Sequence, residues 1–78
     1  MTRDKFLLEM DEIIGLPAGR LRGNEKLEDL EGWDSLALIT MIQLVEAVGR
    51  LRVTPNQIVN CVTVADVLKL AQVDGNAA

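Results

Sequence analysis

The residues with the clearest chemical potential are Asp34 and Ser35, which stand between a glycine-containing segment and a run of apolar residues. An aspartate in front of such a run is a typical N-cap, so Ser35 falls in the first turn of a predicted helix. Unpaired N–H groups and the dipole at a helix N-terminus favour an attached phosphate, and Gly32 lets the chain turn so that the hydroxyl stays accessible. The pattern therefore indicates that Ser35 can carry a phosphodiester.

The chain lacks residues that most catalytic and metal-binding sites need. The chain has no histidine and a single cysteine, Cys61, so it lacks the usual general base and the commonest metal ligand. Gly-Trp-Asp-Ser-Leu is similar to the motif of the Gly-Asp-Ser-Leu hydrolases, but without histidine no catalytic triad can form. We therefore expect neither enzyme activity nor a metal site, and we interpret Cys61 as a small buried hydrophobic residue.

Size and charge further restrict the number of domains and the class of partner. Its 78 residues are 49% hydrophobic and 26% charged, which predicts one globular domain over residues 1–78. The formal net charge of the chain is −4, which argues against a nucleic-acid partner. The acidity lies in residues 1–34, which hold nine acids and five bases. The sequence shows no signal peptide and no apolar segment long enough for membrane insertion, so we expect a cytoplasmic protein. We also expect it to be a monomer.

Apolar periodicity predicts a first helix over residues 2–14, capped by Thr2 and ended by Gly15. Its apolar stripe consists of Phe6, Leu7, Met10, Ile13 and Ile14. Residues 15–34 show no comparable stripe and are predicted to form a long loop. We expect this loop to be ordered by its leucines, which are Leu16, Leu21, Leu27 and Leu30.

A second helix is predicted from Asp34 to about Val48, with Gly49 as its C-terminal cap. The side expected to face the core consists of Leu38, Met41, Ile42, Val45 and Val48. Because Leu36 and Ile39 fall on another side of the helical wheel, we expect both to be exposed.

Two more helices complete the prediction. Thr54 to Gln57 is a capping box, which predicts a short helix over about residues 55–60. A last helix is predicted to begin at Thr63 and to end at Gly75, with residues 74–78 as a frayed tail. Three longer helices and a short third one, each apolar on a single face, predict an all-α four-helix bundle with a long loop between the first two.

Asp34-Ser35-Leu36 at the start of the second helix resembles the prosthetic-group attachment motif of acyl carrier proteins. The resemblance covers nearly the whole chain, including its acidity, the long loop and the short third helix. It implies that a phosphopantetheinyl transferase uses Mg²⁺ to move 4′-phosphopantetheine from coenzyme A onto Ser35. Acyl groups would then be carried as thioesters and presented to acyl-transferring or condensing enzymes of fatty-acid, polyketide or related biosynthesis.

The same resemblance implies roles for residues around Ser35. Partner recognition is implied for Asp34, Leu36, Ile39 and Glu46. A space between the helices that shelters the acyl chain would be lined by Met41, Ile42, Val45, Val53, Ile58, Cys61 and Val67.

The chain also departs from the usual pattern of this family. Carriers of fatty-acid synthesis have acids along the exposed side of the second helix, where this chain has Ala37, Thr40 and Ala47. We therefore expect weak electrostatic docking and a specialised rather than a housekeeping carrier. Two alternatives stay open, namely an aminoacyl or peptidyl carrier, and an unmodified helical adaptor that docks through Leu36 and Ile39.

Overall fold

The computed structural model describes residues 2–73 and confirms the predicted all-α bundle. Its four helices are α1 (Arg3–Ile14), α2 (Ser35–Gly49), α3 (Pro55–Val59) and α4 (Val64–Leu70). The α2 helix contacts each of the other three, so it is the central element of the bundle. No helix within the described range has the length and apolar character needed to cross a membrane.

The core consists of aliphatic side chains, methionines and one phenylalanine contributed by all four helices. The completely buried apolar residues are Phe6, Met10, Met41, Val45, Ile58, Val64 and Val67. Phe6 and Met10 in α1, like Met41 and Val45 in α2, are four residues apart and therefore lie on one helical face. Burial of these faces against one another supplies the main favourable free energy of folding.

The predicted N-caps are confirmed. The Thr2 hydroxyl accepts a hydrogen bond from the Lys5 N–H at 3.3 Å, and Thr54 and Thr63 each form a complete capping box. At the other end of α1, Gly15 adopts the left-handed conformation with φ 86°. Local sequence signals therefore determine where these helices begin and where α1 stops.

The C-terminus of α2 differs from the prediction. Gly49 is the last residue of the helix, and Arg50 takes the left-handed capping conformation with φ 53°. A Cβ at Gly49 would lie 2.8 Å from the Leu51 side chain and 3.1 Å from the Ala71 carbonyl oxygen. A larger residue at position 49 would have to displace the Leu51 side chain and crowd the Ala71 carbonyl, so glycine favours the close packing here and Arg50 reverses the chain.

The last helix is shorter than predicted. It ends at Leu70, and a left-handed Gln72 follows with φ 60°. The Val73 N–H donates to the Leu68 carbonyl at 2.8 Å, which closes the end of the helix in a Schellman arrangement. The predicted stop at Gly75 and the predicted frayed tail, residues 74–78, lie outside the described residues.

The long loop is ordered, as predicted, by its leucines. Leu21 and Leu27 are buried and Leu16 and Leu30 pack against the core from partly buried positions. The structure adds a polar anchor, because the buried carboxylate of Asp11 accepts the Leu21 N–H at 3.0 Å and the Gly19 N–H at 2.9 Å. The apolar stripe of α1 gave no sign of this role.

Candidate functional site

The approach to Ser35 is determined by Gly32. A Cβ at this position would overlap the carbonyl oxygen of Ile14 at the end of α1. The sequence predicted that Gly32 serves a turn, but its φ is not positive, so the requirement is close backbone contact. Trp33 follows and packs against the core from a partly buried position, so the loop is held on the bundle up to the start of α2.

Asp34 caps α2 and so sets the position of Ser35. Its Oδ1 accepts a hydrogen bond from the Ala37 N–H at 2.9 Å, and its own carbonyl accepts the Leu38 N–H at 2.9 Å. Ser35 is the first residue of the helix and is exposed. The hydroxyl therefore stands at the positive end of the helix dipole and is open to solvent.

The Ser35 hydroxyl differs from the other aliphatic hydroxyls of the chain. Ser35 is the only serine, and the sequence has four threonines. Three of them use their hydroxyls as helix caps, while Thr40 donates to the Leu36 carbonyl at 3.0 Å. The Ser35 hydroxyl alone makes no hydrogen bond with any residue in the range 2–73.

Two apolar side chains next to Ser35 point away from the core. Leu36 is 73% exposed and Ile39 is 53% exposed. The reason is helical phase, because Ala37, Met41 and Val45 take the buried face of α2 at four-residue spacing. The predicted exposure of Leu36 and Ile39 is confirmed.

Glu46 lies at the other end of α2 and has a structural contact. Its Oε2 accepts a hydrogen bond from the Val53 N–H at 3.0 Å, and the residue is half-buried. This bond ties α2 to the segment that precedes α3. A role of Glu46 in partner recognition stays a prediction, and the same carboxylate also supports the fold.

The residues expected to line an acyl space lie together in the core. Five are buried and two, Ile42 and Cys61, are partly buried against the same cluster. The five buried residues are Met41, Val45, Val53, Ile58 and Val67. Two surface clefts within residues 2–73, one beside the start of α1 and one between α1 and α2, are lined by other residues. A cargo sheltered among these seven side chains would require them to move apart, because protein cores are closely packed.

Cys61 is only partly buried, which corrects the prediction of a buried residue. Its thiol donates to the Gln57 carbonyl at 3.3 Å. Burial and the nearby negative charge of Asp66 raise the pKa of the Cys61 thiol. The Cys61 thiol therefore stays protonated at neutral pH and lacks the thiolate form that a nucleophile requires.

No family model, no curated protein and no solved structure matches this chain. Within residues 2–73, no three cysteine, histidine or acidic side chains are grouped in a way that could hold a metal ion.

Proposed function

We propose that this chain is a carrier domain in which Ser35 bears 4′-phosphopantetheine and α2 presents it to partner enzymes. The observation that carries the proposal is the unbonded, exposed hydroxyl of Ser35 at the start of a firmly capped helix. Every other hydroxyl of the chain is used within the fold. The adjacent exposed Leu36 and Ile39 offer a partner enzyme an apolar contact beside the modified residue.

The residues present fit a phosphodiester at this position. In the attachment step, Ser35 Oγ forms a bond to the phosphorus of coenzyme A that carries the pantetheine arm, and the nucleotide part leaves with the bridging oxygen. The hydroxyl proton passes to a general base of the transferase. The first N–H groups of α2 and its dipole favour the resulting negative charge.

The chain's own contribution is to hold Ser35 in place. Asp34 caps the helix, Gly32 and Trp33 fix the preceding loop, and α2 is anchored through the buried Met41. When attached, the arm supplies a terminal thiol that can hold an acyl group as a thioester. Presentation to an enzyme then depends on a rigid α2 with an exposed apolar start.

A second candidate is an aminoacyl or peptidyl carrier. Its support is the close packing of the seven residues expected to shelter an acyl chain, since a polar aminoacyl cargo needs no apolar shelter. The two candidates share the attachment at Ser35 and differ only in cargo.

The decisive experiment is intact mass before and after incubation with coenzyme A, Mg²⁺ and a broad-specificity phosphopantetheinyl transferase. We expect a gain of one phosphopantetheinyl group in the natural chain and none in Ser35→Ala. The matched control is Thr40→Ala, which removes the other hydroxyl of the α2 helix and should still be loaded. Failure to load with several transferases, or loading of Ser35→Ala, would contradict the proposal and favour an unmodified docking adaptor.

A further inference from the structure

A surface groove of about 520 Å³ lies between α1 and α2. It is lined by Glu9, Glu12 and Ile13 of α1 and by Thr40, Gln43 and Leu44 of α2. Ile13 and Leu44 are partly buried against the core, so they form its apolar floor. The remaining lining residues are polar or charged.

The groove has an acidic edge without a neighbouring cation in its lining. Glu9 and Glu12 are three residues apart on α1 and therefore project from the same helical face. No lysine or arginine is among the lining residues, and neither carboxylate accepts a hydrogen bond from residues 2–73. Across the groove, α2 contributes Thr40, Gln43 and Leu44, none of which is charged.

The exposed apolar pair Leu36 and Ile39 lies one turn before the part of α2 that lines the groove. Leu36 is one turn before Thr40, whose hydroxyl donates to the Leu36 carbonyl, and Ile39 is one turn before Gln43. One face of α2 therefore leads from exposed apolar side chains directly to the edge of an acidic groove. A ligand that covers both must combine apolar side chains with positive charge.

We infer that the α1–α2 groove and the apolar pair form one docking surface for an amphipathic helix of a partner protein that carries lysine or arginine. The cations of that helix would lie against Glu9 and Glu12, and its apolar side chains against Leu36 and Ile39. In this arrangement α1 supplies the negative charge that the exposed side of α2 lacks. The inference does not depend on modification of Ser35, because every residue involved is present in the unmodified chain.

The test uses a synthetic helical peptide with leucine on one face and lysine along both edges. A matched peptide keeps the leucines and replaces every lysine by glutamate. Each is titrated into the full ¹⁵N-labelled chain carrying Ser35→Ala, so that loading cannot influence the result. We expect the lysine peptide to shift the amide resonances of residues 9–13 and 36–44, and the glutamate peptide to leave them unchanged.

Charge variants separate the groove from general attraction to an acidic protein. Glu9→Gln combined with Glu12→Gln should weaken binding of the lysine peptide about fivefold. The matched control is Glu28→Gln with Glu31→Gln, which removes the same charge from exposed loop positions and should change affinity less than twofold. Equal weakening by both pairs, or amide shifts confined to other residues, would overturn the inference. Neither result bears on loading, which is measured by mass.

Discussion

The backbone of Gly32 lies directly against the carbonyl oxygen of Ile14, so the loop that leads into α2 rests on the end of α1. The N–H groups of Gly15 and Leu16 both bond to the Asp11 carbonyl, at 2.9 and 2.7 Å, which closes that end of α1. The position of Ser35 is therefore set by a helix distant in sequence as well as by its own cap.

Replacing Gly32 with alanine should lower the free energy of unfolding by about 2 kcal/mol, because a Cβ forces the loop away from α1. Urea unfolding followed by circular dichroism measures this change. The control is Glu31→Ala, an exposed neighbour whose side chain can be shortened with an effect below about 0.5 kcal/mol. Equal stability of Gly32→Ala and the natural chain would show that the close contact is not required.

Asp11→Asn should destabilise the chain by about 2 kcal/mol, because the amide NH₂ would face one of the two backbone N–H donors that the carboxylate now binds. Urea unfolding gives the free energy, and hydrogen exchange at Gly19 and Leu21 localises the loss to the loop. The exposed neighbour Glu12, changed to glutamine, should have little effect. Unchanged exchange at Gly19 and Leu21 in Asp11→Asn would argue against the anchor.

Acidification should weaken the fold through Asp66 and Glu25. The backbone N–H groups of Val62 and Thr63 lower the pKa of Asp66 below its ordinary value of 3.8. Burial raises the pKa of Glu25, but bonds from the Gly23 and Arg22 N–H groups outweigh it, so the net pKa lies below 4.5.

Because both carboxyl pKa values are lower in the folded chain, their stabilisation is complete above the unfolded values and is lost as the pH falls through the folded ones. The urea midpoint should therefore stay constant from neutral pH to about pH 5 and decrease below it. Glu25→Gln should reduce this decrease, whereas Glu28→Gln, an exposed change, should not. A decrease of the same size in both variants would rule out Glu25 as a source.

Asp34→Asn should separate helix capping from charge at the candidate site. Asparagine caps a helix as well as aspartate does, so the free energy of unfolding should change by less than about 0.5 kcal/mol, while Asp34→Ala should cost about 1 kcal/mol. If the transferase recognises the carboxylate, Asp34→Asn should slow loading of Ser35 without loss of stability. Equal loading rates of Asp34→Asn and the natural chain would leave Asp34 with the capping role alone.

Leu36→Ala should slow loading and leave stability unchanged, whereas Met41→Ala should lower stability, although both residues lie on α2. Leu36 is exposed, so its truncation should leave stability within about 0.5 kcal/mol and lower kcat/KM for loading by about tenfold through lost partner contact. Met41 is completely buried, so its truncation should cost about 3 kcal/mol. Thermal unfolding and loading rates of both variants, measured below their transitions, test the distinction.

The sequence by itself determined where the four helices begin and the exposed position of Ser35. Caps such as Thr54 and Thr63 act on N–H groups two or three residues away, so their effect is visible in a short stretch of sequence. Helical periodicity likewise predicts that Leu36 and Ile39 lie outside the buried face. These features are local, and the structure agrees with them.

Contacts between distant residues were decided only by the tertiary structure. Asp11 binds loop N–H groups eight and ten residues away, and Gly32 meets Ile14 across the same loop. The scarcity of acidic residues on the second helix predicted weak electrostatic docking. Folding, however, places Glu9 and Glu12 of α1 across a groove from α2. Such pairings depend on how the helices pack, because helical periodicity specifies which face is buried and leaves open which residues meet across the interface.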